Sequence, residues 1–230
     1  MNTKLIIHIV ISLISLSGLI VYYYAFLLGY KKHNSQLKKQ SKLPEKLYFM
    51  STYPALIWYV LPFIEQPRMH GIYDWLNGEF VFFNVLYIPV SFLLFVYFFG
   101  IWGKKSVSQN IEATKSAFYA PSKLLTEGIY ARVQHPMIIG DILGHFSLVL
   151  LTGGIYTCIL FPIYVFIDLF MIKIQVKYSL EPYYKSELIV YRKKTPVLLD
   201  QKLLFIVLFM ALLVICNFLN YTLIPQHKFL

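Results

Sequence analysis

From Leu5 to Tyr30 the chain runs 26 residues without one Asp, Glu, Lys or Arg. A helix crosses the hydrocarbon core of a bilayer in about 20 apolar residues. This run is therefore long enough to span a membrane and too apolar to coat a water-soluble domain. Across all 230 residues, 58% are hydrophobic and 14% charged, with a mean hydropathy of +0.61. A soluble domain carries about 25% charged residues. The apolar excess has to face lipid as well as a core, so the expected fold is all-α and polytopic. Tyr22, Tyr23 and Tyr24 continue the first run where a cleavage site would need small residues, which makes it a retained span and not a signal peptide.

Apolar length and charged punctuation predict about six transmembrane helices, near 5–30, 48–64, 81–103, 137–152, 155–175 and 203–223. The second is short and holds Pro54 and Pro62, which predicts a kink. Gly153-Gly154 supplies a tight turn that makes the fourth and fifth spans a helical hairpin. The expected organisation is an N-terminal two-span region (1–79), a membrane core (80–200), and an extra C-terminal span with its tail (201–230).

Charge placement gives the sidedness. Of 21 Lys and Arg, 18 fall in the loops 31–47, 104–136 and 173–202, leaving only Lys4, Arg68 and Lys228 elsewhere. By the positive-inside rule both termini then lie on the opposite side. The net charge of +10 sits in short loops beside apolar runs, which predicts contact with membrane lipids and no nucleic acid.

Cys158 and Cys216 fall inside apolar runs and are expected to be buried small hydrophobes without a disulfide. No His, Cys or carboxylate set has metal-ligand spacing, so no metal is expected. Asn220-Tyr221-Thr222 has the glycosylation pattern but closes a span too tightly to be a surface loop. Asp141 and His145 are four apart and share a helical face, which predicts a hydrogen-bonded pair. Asp168 stands mid-span, where a carboxylate is costly. It should turn inward, toward Gln175, Asn84 or Tyr164.

The stretch most informative about function runs from Gly128 to Asp141. It brings Arg132, Gln134 and His135 to the membrane interface just before Pro136 opens a helix, with Gly140 one turn on. Unpaired N–H groups at such a helix start favour an anion. The segment resembles the Arg-His-Pro-x-Tyr-x-Gly signature of the isoprenylcysteine carboxyl methyltransferase and phospholipid methyltransferase superfamily. Tyr178–Pro196, with Glu181-Pro182 and the closing Tyr191-x-x-x-Thr195-Pro196, is similar to that family's C-terminal motif, the Glu-Pro pair to that of the phosphatidylethanolamine methyltransferases. The likeness covers roughly residues 80–200. Gln134 stands where the signature has Arg, and Ile138 where it has Tyr. Val176 and Lys177 replace paired glutamates, and Tyr184-Lys185 a Phe-Gly.

The resemblance implies a pocket for S-adenosylmethionine. Arg132, Gln134, His135, Pro136, Gly140, Asp141 and Tyr191 would form it, with Glu181 and Glu187 as the catalytic carboxylates. The replaced residues point to a degenerate methyltransferase-like fold serving as a non-catalytic accessory subunit. Its partners would be other membrane-protein subunits, in an assembly such as a mitochondrial respiratory complex. An active S-adenosylmethionine-dependent methyltransferase on a lipid or prenylated acceptor is the alternative. His-Pro-x-x-x-Gly-Asp is also similar to a motif of NADPH-dependent sterol reductases, the second alternative. The expected location is the mitochondrial inner membrane or endoplasmic reticulum, with basic loops on the matrix or cytoplasmic side.

Overall fold

The computed structural model describes residues 3–34, 42–69, 82–114 and 123–223, by backbone alone at 82–86, 114 and 218–223. His70, the 79/80 boundary, Lys38, Lys39, Lys115, the 224–230 tail and the side chains of Asn84 and Asn220-Tyr221-Thr222 lie outside the described residues. Among those residues all regular structure is helical, apart from one isolated bridge between Arg68 and Gly154.

Helix α1 (Thr3–Asn34) ends on Lys31 and Lys32, cations that suit the negative end of a helix dipole. Helix α2 (Leu43–Leu56) packs back along it. A Cβ on Gly18 would collide with Pro54 and the Ala55 backbone, so the missing side chain sets how closely the two approach. The Lys32–Glu45 ion pair at 3.1 Å closes the open end. The expected span 48–64 is not a single helix. After Leu56 the chain tightens into short turns, Ile57–Tyr59 and Leu61–Phe63. Pro62 has no N–H to continue the ladder.

Helix α3 (Phe82–Phe95), a π-helical stretch Val96–Trp102 and α4 (Gly103–Thr114) form a continuous rod. The expected end of this span at 103 is therefore overrun by eleven residues, into what the sequence suggests is loop. Helix α5 (Pro136–Thr152) buries 12 of its 17 residues and is surrounded by α3, the π stretch, α4 and the two later apolar helices. It stops at Gly153, whose φ of 64° is left-handed backbone open to glycine. Helix α6 (Ile155–Gln175) returns antiparallel and runs through a second π stretch (Val176–Leu180) into α7 (Glu181–Lys194), which kinks at Tyr184. Helix α8 (Gln201–Leu223) follows.

Among the described residues three helices are long and apolar enough to cross a membrane: Thr3–Asn34, Tyr87–Ala113 and Ile155–Lys194. Pro136–Thr152 and Gln201–Asn217 are shorter apolar helices. The outer faces are apolar too, with Leu13 and Ile20 on α1, Ile159 and Phe166 on α6, and Phe205 and Leu208 on α8 all exposed. Cys158 and Cys216 are free thiols.

At the Thr152 end of α5 a polar knot fastens the turn. The Gln66 side chain donates to the carbonyls of Leu61 and Ile64 and to Thr157 Oγ1, and accepts the Thr157 N–H at 3.0 Å. Arg68 donates to the carbonyls of Pro62 and Ile64 and, at 2.8 Å, to that of Thr152. A cation there meets the carbonyl end of the α5 dipole. Gly154 carries no side chain because Gln66 fills that space, 2.7 Å from where a Cβ would sit.

Candidate functional site

The Gly128–Asp141 segment is positioned by side chains from four other elements. Gly128 takes φ 61°, and Gln109 accepts the following Ile129 N–H. A short turn over Gly128–Ala131 then leads to Gln134, which ties the segment to the end of α7. Its backbone N–H donates to the Pro196 carbonyl at 3.0 Å and its side chain to that of Thr195 at 2.5 Å. Tyr191 donates to the Tyr130 carbonyl at 2.5 Å. The stretches Gly128–Asp141 and Tyr178–Pro196 are thus bonded directly to each other.

Arg132 faces away from the segment's interior. It pairs with Asp200 at 2.7 Å and lies 4.9 Å over the Trp102 ring. Burial opposes the charge on each partner. The Arg132 guanidinium is nevertheless held more firmly protonated by Asp200, and the Asp200 carboxyl is held below its usual range by the Leu203 N–H and Arg132. Trp102 also donates to the Pro136 carbonyl at 2.7 Å. Gly140 is where this packing is tightest, since a Cβ would sit 2.9 Å from Trp102 and 3.4 Å from the Phe98 carbonyl. The glycine serves helix against π stretch, and π stretches concentrate at functional sites.

His135 is the residue before α5 and is only 4% exposed. Its side chain does not cap the helix. Nδ1 instead meets Gln175 Oε1 of α6 at 3.0 Å, while Nε2 is buried and has no hydrogen-bond partner. Burial pushes its pKa from 6.5 down to about 4, with Gln175 opposing and Arg192 adding to the fall. The imidazole is neutral at pH 7, with one nitrogen engaged and the other open.

His135 lines a cavity of about 890 Å³ at the basic end of the bundle. Gln134, His135, Gly140, Asp141 and Tyr191 all line it, though they come from a loop, α5 and α7. Arg132 and Pro136 stand behind it as supports. Glu181 and Glu187 do not line it: both are exposed, and Glu181 lies 3.5 Å from Arg192. Much of the wall is aromatic, including Tyr22, Tyr23 and Phe26 of α1, Tyr48 of α2 and Phe98 and Phe99 of the π stretch. Lys104 is its single Lys or Arg and Asp141 its single acid among the described residues. No protein group among those residues hydrogen-bonds the Asp141 carboxylate.

Two pairings expected from spacing are replaced. Asp141 and His145 do not bond. The His145 ring lies flat on Trp58, centroids 3.6 Å apart, and both its nitrogens are unpartnered. Asp168 does turn inward, but its donor is Tyr23 of α1 at 2.5 Å, while Gln175 goes to His135. Tyr23 and the other α1 rings were missed as site residues. The tyrosine triplet inside an otherwise apolar run was the available signal, because a buried phenol seeks a partner. Among the described residues no group of three or more His, Cys, Asp or Glu suits a metal. No known protein family, curated protein or solved structure matches this chain.

Proposed function

We propose that this chain is an integral membrane protein on a degenerate methyltransferase-like frame. It holds a small ligand in its basic-end cavity and serves as a non-catalytic subunit of a larger membrane assembly. One observation carries the reading: the resemblance-bearing residues converge on a cavity, while the two acids assigned to chemistry, Glu181 and Glu187, stay outside it. Glu181 and Glu187 cannot act on a ligand held there, because a general base must reach the proton it takes within about 3 Å. The proposed topology keeps six membrane-embedded helical segments, with the basic loops on the matrix or cytoplasmic side of the mitochondrial inner membrane or endoplasmic reticulum.

The site suits S-adenosylmethionine in one respect. A sulfonium is a soft cation, and the walls offer aromatic faces plus the Asp141 carboxylate. When bound, that cofactor supplies an electrophilic methyl group. Gln134, His135, Gly140 and Tyr191 would hold it. This fit supports the second reading, an active methyltransferase in which Asp141 takes the acceptor's proton.

Calorimetric titration of the purified protein with S-adenosylmethionine, followed by a methyl-transfer assay on total membrane lipid, separates the two. The expected outcome is binding that His135→Ala abolishes, no transfer, and purification in fixed stoichiometry with other membrane subunits. Transfer that Asp141→Asn eliminates would replace the first reading with the second. No binding, with monodisperse single-chain protein, would end both.

A further inference from the structure

A column of buried polar side chains runs along the seam of α1 and α6, away from the segment that forms the cavity floor. On α1 it consists of His8, Ser12, Ser15 and Tyr23, one face of the helix at spacings of four, three and eight. On α6 it consists of Tyr164 and Asp168, one turn apart. His8, Ser12, Ser15, Tyr164 and Asp168 are at most 4% exposed. Hydrogen bonds join two of its steps, Tyr23 to Asp168 and Ser12 to His8. Asp141, on the cavity wall, lies within electrostatic reach of Asp168, which accepts the Tyr23 hydroxyl. One turn of α6 further on, the Tyr164 hydroxyl faces Ser15 without closing a hydrogen bond. Ser12 then meets His8 Nδ1 at 3.3 Å, and His8 feels the charge of Arg68 at the opposite end of the bundle.

We infer that this seam conducts protons between the basic-end cavity and the opposite face, with Asp168 as the station that takes up and releases the proton. Three arguments support it. The first is reach: His8 to Tyr23 is fifteen residues, about 22 Å of helix, against a hydrocarbon core of about 30 Å. The longest gap on α1, between Ser15 and Tyr23, is bridged on the α6 side by Tyr164 and Asp168. The second is cost. Polar groups that merely glue membrane helices are bonded to each other. Here the Ser15 and Tyr164 hydroxyls are buried and open, each at about 1–3 kcal/mol, and a mid-span carboxylate adds to that expense. The third is chemistry. Every station is a hydroxyl, phenol, imidazole or carboxyl, each able to accept a proton on one side and pass one on from the other. No other reactant is needed, since the proton that enters is the proton that leaves. His145 stands off the line, because Trp58 lies between it and Tyr164.

The test uses the full chain reconstituted in sealed vesicles that hold a pH-sensitive dye. A potassium gradient with valinomycin supplies the driving potential. The wild type should move internal pH faster than protein-free vesicles. Asp168→Asn and Ser15→Ala should each return the rate to the protein-free level with helicity by circular dichroism unchanged. Should Asp168→Asn fail to fold, Tyr164→Phe and Ser15→Ala carry the test alone. A wild-type rate equal to that of empty vesicles, or flux that survives these substitutions, overturns the inference. Neither result bears on ligand binding in the cavity, which calorimetry reads separately.

Discussion

The two ends of α5 treat their polar side chains in opposite ways. At the Thr152 end, Gln66 and Arg68 spend their hydrogen-bonding capacity on carbonyls and on Thr157, and Gly154 leaves no space beside them. At the Pro136 end, His135 Nε2 has no hydrogen-bond partner and Asp141 lines a cavity with no donor to it among the described residues. Both ends are polar breaks in an apolar bundle. The saturated one can only hold the turn together. The unsaturated one has valence left for something that is not this chain, and that difference separates a structural cluster from a binding site.

The largest expected effect tests the saturated end. Gln66→Leu keeps the volume but strands the Thr157 N–H and the carbonyls it served, which should cost about 3 kcal/mol of stability. Thermal unfolding in detergent, followed by circular dichroism, reads it. A change near zero would mean the knot is not structural, and the contrast would collapse.

At the open end the test is pH. His135 has a folded pKa near 4 against 6.5 when free, so the unfolded chain binds the extra proton. Its stabilising contribution is full above pH 6.5 and fades as pH falls toward 4, by roughly 3 kcal/mol at the limit. His135→Gln should flatten that stretch of the stability–pH curve. An unchanged slope would show that His135 is not buried neutral beside the cavity.

The smallest effect is expected from Glu181→Gln and Glu187→Gln. Both side chains are exposed, and the contact of Glu181 with Arg192 is at the surface. Each change should move stability by less than about 0.5 kcal/mol and leave ligand affinity unaltered in the same titration. A loss of binding would move these acids into the site.

Much of the frame was readable because local rules fix it. A charge-free run of 26 residues has few choices but helix, Pro62 has to interrupt one, and Gly153-Gly154 has to turn. The end at 103 was misjudged because Lys104 and Lys105 look like a loop boundary, whereas the helix extends its charged turns to Thr114. Side-chain pairing was less readable. Spacing put His145 beside Asp141, but the imidazole gains more from the face of Trp58, on a segment nearly ninety residues away in sequence.

The sequence by itself determined the all-helical character, the apolar exterior and the clustering of Lys and Arg between the apolar runs. Hydropathy, proline and glycine act over a few residues, so these features survive without knowledge of neighbours. Only the tertiary structure decided that Tyr23 serves Asp168, that Gln175 serves His135, and that Glu181 and Glu187 stand outside the cavity. Those outcomes depend on how α1, α6 and α7 are rotated against one another. That rotation is set by the packing of whole helix faces, which no short stretch of sequence encodes.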